Sequence, residues 1–342
     1  RIWKDKDMLM LIRRQVMAVG VAAAAAAVTL SGCAYSVGNP IADPPGPCQP
    51  KDHYRIAYIA RAQVDSFAAW LANEMRREAD KYPDVKVFDG QADDEVENRM
   101  IENAVANKYD AIIIQANNGE AQRPYIESSA KRGIVTITTN PKVADIEGAS
   151  SVDSNPYDQG AVVAKYALDK IPQDGKVVVL NGPGGNYHSN ERRRAWQQEF
   201  FDKRPDVQIV AENVANWNKD EALRLMEDWS LANPKIDAIV SMNDNLATGA
   251  LDAVKGKSNF TNILSFGVDG TPEAVMLIQQ GGMTATALQN AQELAVLNMK
   301  SVHELLSCQA DTLNPTIGNP LITKDNAAQF VTMYRDAGLI KG

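Results

Sequence analysis

From residue 55 onward, short apolar runs alternate with stretches whose apolar residues recur every three or four positions. The runs at 55–60, 85–88, 111–115 and 134–138 predict strands. Between them, 67–81, 94–106 and 121–132 predict helices, the first stopped by Pro83 and the last by Gly133. Strands that are apolar at nearly every position suit a parallel sheet covered on both faces.

The alternation pauses at a short extended stretch, 149–155, and then restarts. Helices are predicted at 157–169, 191–203, 219–232, 243–255 and 291–306, with a last one running to Ala337. Strands are predicted at 176–181, 207–211, 236–240 and 284–288, and one more begins at Ile263. Residues 182–190 read as a glycine-rich loop. Two similar halves result, so the expected fold class is α/β, with two doubly wound parallel-sheet lobes and a hinged cleft between them. The chain should cross between lobes near 153–155, near 289–291 and again before the tail. That gives one lobe from 52–153 with 290–318, and another from 154–289 with 319–342. Small molecules favour such interfaces.

The stretch from Ile263 to Ala274 draws the candidate chemistry together. An apolar run ends in Gly267-Val268-Asp269-Gly270, and Thr271-Pro272-Glu273 starts a helix. This sets Asp269 at the carboxyl end of a strand, where open α/β sheets place ligand groups; shaping the turn is its other possible role.

Residues 1–32 differ from the rest. Arg13 and Arg14 precede an apolar stretch, 16–28, too short to span a bilayer comfortably. Leu30-Ser31-Gly32-Cys33 follows, which resembles the bacterial lipobox. The expectation is a lipoprotein signal peptide over 1–32, lipidation of Cys33, and export to the periplasm or cell surface on a membrane anchor. Residues 33–51 are rich in Pro and Gly and read as an extended tether. Cys48 and Cys308 then remain. In an oxidising compartment they would pair as a disulfide, with two free thiols as the alternative.

The net charge is −8, and the chain without its first 32 residues holds 30 basic against 41 acidic residues. Such a body is a poor partner for nucleic acid. His53, His188 and His303 are too far apart for metal-ligand spacing, so neither a metal nor another cofactor is expected. Gly182-Pro183-Gly184-Gly185 lacks the Gly-Lys-Ser/Thr ending of a phosphate loop. No acid/base or nucleophile motif points to an enzyme.

Several motifs together carry a family likeness: Val152-Asp153-Ser154-Asn155 before a helix, Glu191-Arg192 ahead of Ala195-Trp196, Asn243-Asp244 opening the helix that carries Leu246 to Leu251, Gly267 to Pro272, and the terminal 321–326. In this order the body from residue 55 resembles the periplasmic sugar-binding proteins of ABC transporters, of the ribose/galactose type. Repressors of the lac type share that body but need a DNA-binding helix pair where this chain has an export signal.

The resemblance implies a sugar or polyol held between the lobes and delivered to a membrane permease. It implies Phe67 and Trp217 as aromatic walls, and Arg192, Asn243, Asp269 and Gln289 as hydroxyl-binding groups. Asn155 falls in the likeness as well. Asp65, Thr139 and Asn140 stand where the family carries an amide and an Asp-Arg pair, and should decide which ligand is bound. Other readings of the same body are a sensory receptor component and an exported carbohydrate-acting enzyme.

Overall fold

A computed structural model describes residues 48–82 and 84–341. The signal peptide expected over 1–32, the expected lipidation site Cys33, residues 33–47 of the expected tether and the helix stop expected at Pro83 lie outside the described residues.

In chain order the first part runs β1 (Ile56–Ala60), α1 (Ser66–Lys81), β2 (Val85–Asp89), α2 (Asp94–Ala106), β3 (Ala111–Ile114), α3 (Gly119–Lys131), β4 (Val135–Thr139) and β5 (Ala149–Ser154). Next come α4 (Pro156–Ala167), β6 (Lys176–Asn181), α5 (Tyr187–Trp196), β7 (Gln208–Val214), α6 (Lys219–Ala232), β8 (Ala238–Ser241), α7 (Asp244–Val254), β9 (Leu264–Asp269), α8 (Pro272–Gln280) and β10 (Ala285–Leu288). The chain ends with α9 (Ala291–Leu306), β11 (Thr316–Ile317), β12 (Leu321–Thr323) and α10 (Ala327–Asp336).

The strands form two six-stranded sheets, ordered β11-β5-β4-β3-β1-β2 and β12-β10-β9-β8-β6-β7. Every pairing in the first is parallel. In the second only β12 runs antiparallel, against β10. The central strands β1, β3, β8 and β10 are buried at every position, which is why they read as unbroken apolar runs. The chain passes between sheets three times: after β5, after β10, and between β11 and β12. Helix α9 returns to pack along α1.

Short polar side chains start most helices. Asp65, Asp93, Asn118, Asn155, Asn218, Thr271 and Asn290 each accept a backbone N–H from the first turn of the helix they precede. One expectation is corrected here. The predicted loop 182–190 ends at Asn186, which caps α5 by accepting the Ser189 N–H. His188, Ser189 and Asn190 show no apolar period, so the sequence hid that turn of helix. Beyond Trp196 the helix widens into a π-helical turn, Gln197–Phe201, which seats Phe200 edge-on to Trp196 at 5.5 Å.

One apolar cluster fills the second lobe. Another continues from α1 and α9 into α8 and α10, and Trp70 of α1 meets Tyr334 of α10 edge-on at 5.6 Å. Cys48 and Cys308 are joined as a disulfide with a Cα–Cα distance of 5.8 Å, so the start of the described chain is tied to the residues following α9.

Candidate functional site

The carboxyl ends of both sheets face a small, tightly closed cavity. Arg61, Phe67 and Asn140 line it from the first lobe. His188, Arg192, Trp217, Asn243, Asp269 and Gln289 line it from the second. None of these side chains belongs to a residue more than 4% exposed, so the lobes are closed over the space.

Three of the lining residues have backbones that side chains rarely adopt. Asn140 has φ 39°, Trp217 φ 58° and Asp269 φ 123°. Such strain gathers where a fold aims particular groups at a site. The turn carrying Asp269 is held from behind by Asp244, which accepts the Thr271 N–H at 2.8 Å and the Thr286 hydroxyl at 2.6 Å. Gly267 leaves room for that carboxylate, because a Cβ there would stand 2.3 Å from Asp244 Oδ1.

Arg192 is the centre of the polar network. Its Nε donates to Gln159 Oε1 (2.9 Å), its Nη1 to the Met242 carbonyl (2.8 Å), and its Nη2 reaches His188 Nδ1 (3.3 Å) and Asp269 Oδ1 (3.5 Å). Gln289 Nε2 donates to the same Asp269 oxygen at 3.3 Å. Burial pushes the Asp269 carboxyl well above its ordinary range, and the Arg192 charge opposes that. Asp244 is raised to about 7, again by burial, against the hydrogen bonds from Thr286 and Thr271.

Several contacts bridge the lobes at the cavity rim. His188 Nε2 lies 2.9 and 3.0 Å from the two oxygens of Asp153, at the end of β5. Burial lowers the His188 pKa, although Asp153 pulls the other way; the Arg192 guanidinium can only donate, so Nδ1 accepts from it and Nε2–H donates to Asp153. Asn186 Nδ2 donates to the Asn117 carbonyl at 3.2 Å, and Ser154 Oγ donates to Gln289 Oε1 at 2.5 Å.

Phe67, Asn140, Arg192, Trp217, Asn243, Asp269 and Gln289, all singled out from the sequence, meet at this cavity. Asp65, Thr139 and Asn155 do not. Asp65 caps α1 with Oδ1, accepting the Phe67 and Ala68 N–H groups, and gives Oδ2 to Arg61 Nη2 at 2.5 Å. The Thr139 hydroxyl donates to the Val152 carbonyl and accepts from Asn298. Asn155 is exposed and caps α4. Asp65 and Thr139 have their polar atoms committed to the scaffold, and Asn155 commits its Oδ1 to the head of α4.

Arg61 and His188 went unread in the sequence. Arg61 directly follows β1, the carboxyl-end position that drew attention to Asp269. His188 carried no such signal, lying in a stretch that read as loop.

Gly182 packs flat beneath Trp217, and a Cβ there would stand 2.2 Å from the indole Cζ2. Gly182→Ala must therefore push the ring off the cavity wall. About tenfold weaker ligand binding is expected, measured by calorimetry, with an unchanged circular dichroism spectrum. Unaltered affinity would mean that the ring is not a binding wall.

A family model for the periplasmic binding protein domain matches residues 56–310. The xylitol-binding protein of Mycolicibacterium smegmatis is 27% identical over 311 residues, covering 90% of this chain and 86% of that one. The ribose import binding protein of Bacillus subtilis is 25% identical over 272 residues, 79% of this chain and 87% of its own. Among solved structures, an ABC transporter solute-binding protein of Actinobacillus succinogenes with bound D-allose has a TM-score of 0.72 at 25% identity, covering 81% of this chain and 99% of that one. One from Bacillus halodurans with bound myo-inositol shares the fold, with a TM-score of 0.76 at 22% identity over 83% of this chain and 99% of its own. With its two closed lobes and the family model spanning most of its length, this chain belongs to the periplasmic binding proteins.

Proposed function

We propose that the protein is the substrate-binding component of an ABC importer, taking up one monosaccharide or polyol and delivering it to a membrane permease. One observation carries this reading: the sealed cavity is flanked by Phe67 from one lobe and Trp217 from the other, with amide, guanidinium and carboxylate groups between them. Aromatic faces suit the C–H patches of a sugar, and the polar groups suit its hydroxyls. The names of the xylitol- and ribose-binding relatives support the same class of ligand. Export is a property of the family; anchoring through a lipidated Cys33 is part of the proposal. Ligand would stabilise the closed arrangement because only there is it touched from both sides.

The test is a thermal-shift panel of pentoses, hexoses, their alditols and inositols, together with mass spectrometry of whatever co-purifies. A true ligand at about 100 times its dissociation constant adds about 2.7 kcal/mol of stability. A panel in which no sugar or polyol shifts the melting curve, while another metabolite does, would overturn the reading.

A further inference from the structure

Bonds behind the cavity fix which way its amides point. Gln115 Oε1 accepts the Arg61 backbone N–H at 3.2 Å, so Gln115 Nε2 is the donor to Asn140 Oδ1 at 3.1 Å. Asn140 must therefore turn its NH₂ the other way, and that Nδ2 is buried with no partner. The same logic holds across the cleft. Gln159 Oε1 is taken by Arg192, so Gln159 Nε2 donates to Gln289 Oε1 at 2.8 Å, and Gln289 turns its NH₂ to the cavity, with one of its two hydrogens given to Asp269. Asn243 Oδ1 accepts the Leu246 N–H at the head of α7, leaving Nδ2 uncommitted. Arg61 spends Nη2 on Asp65, and its Nε–H is buried and unpaired. The Trp217 indole N–H is unpaired too.

The described side chains of the cavity thus offer donors almost exclusively. Asp269 is the one carboxylate lining it, and His188 has both ring nitrogens engaged. A hydroxyl set against Arg61 and Asn140 would accept from them, but its own hydrogen would find no acceptor there. An oxygen bearing no hydrogen satisfies the same donors without that penalty.

We propose that Arg61, locked by Asp65 and paired with Asn140, is a specificity-determining residue that selects a ligand presenting a hydrogen-free oxygen. This inference rests on the proposed sugar-binding function and narrows it. The oxygen is either the ring oxygen of a cyclic sugar or the carboxylate of a sugar acid. Open-chain alditols, in which every oxygen carries a hydrogen, are disfavoured.

Calorimetric titration of matched series tests this: an aldose, its alditol and its aldonate, in the ribose, xylose, glucose and allose configurations. In any series that binds, the aldose or the aldonate should bind on the order of tenfold tighter than the alditol. Which of the two wins identifies the ring oxygen or the carboxylate. Arg61→Lys keeps a cation for Asp65 but removes the Nε donor, and should bring the preferred member and the alditol within about threefold of each other. An alditol that binds the wild-type protein as tightly as its aldose and aldonate overturns the proposal, and so does an Arg61→Lys variant that weakens all three equally. If Arg61→Lys fails to fold, the wild-type series alone decides. Absence of binding by every member of every series would instead overturn the sugar-binding reading, and this inference with it.

Discussion

Arg192→Ala is expected to abolish ligand binding and to cost the fold about 3–5 kcal/mol as well. The binding loss follows from position: the guanidinium lines the cavity and is one of the two groups that hold Asp269 Oδ1. The stability loss follows from what truncation leaves behind. Gln159 Oε1, the Met242 carbonyl and the Asp269 carboxylate all lose a buried partner at once. The burial of the Arg192 guanidinium adds this second effect to the loss of binding. Arg192→Lys retains the charge but not the planar fork, and should lose binding at a smaller cost in stability. Urea unfolding of both variants, with calorimetry of the ligand identified by the panel, measures the two effects separately. Arg192→Ala binding within tenfold of wild type would remove Arg192 from the site.

Glu97→Gln is expected to stabilise the protein at alkaline pH, by an amount that grows between about pH 4.5 and pH 8. Glu97 is fully buried on α2, accepts the Asn117 N–H through Oε2, and has no partner for Oε1. Burial raises its pKa from 4.5 to about 8, against the opposing Asn117 hydrogen bond and Arg61 charge. The folded protein therefore holds a proton that the unfolded chain gives up in this window. Its favourable contribution is complete below about pH 4.5 and is lost as pH rises through about 8. Asp244, raised to about 7, adds a slope of the same sign. His188, lowered by burial, acts the other way: its contribution is present above pH 6.5 and is lost as pH falls below that through its lowered folded value. Comparing Glu97→Gln with wild type at each pH cancels both. The difference should reach a few kcal/mol above pH 8. A difference that stays constant from pH 5 to pH 9 would contradict the assignment.

The parts of the fold written in apolar periodicity could be read directly. Buried strands such as β3 and β8 have no polar face to confuse them, and most helices opened by Asn or Asp announce their first turn, α5 behind Asn186 being an exception. At the site, Asp269 was legible because it closes a strand, whereas Phe67, Arg192, Trp217, Asn243 and Gln289 were picked out by the family likeness. Asp65 and Asn155 defeated that reading because a helix cap and a ligand contact call for the same short polar side chain at the same place. Thr139 and Asn140 show the limit at single-residue scale. They are neighbours at one strand end, yet Thr139 bonds to the scaffold while Asn140, at φ 39°, lines the cavity. His188 depends on a partner 35 residues away, Asp153, and no local pattern records that pairing.

The three passages between the sheets bear on how the chain is made. β11, the edge strand of the first sheet, ends at Ile317, and β12, the edge strand of the second, begins only at Leu321. Helix α9, which covers α1, is also a late element. During synthesis from the amino end, the first lobe cannot be completed until β11 has emerged, nor the second until β12 has. Partial lobes with open edges and uncovered apolar faces are therefore obligatory species on the way to the native state. For a member of an exported family, that delay works in the chain's favour: a polypeptide that cannot finish either half early stays pliable enough to be threaded across a membrane before it folds.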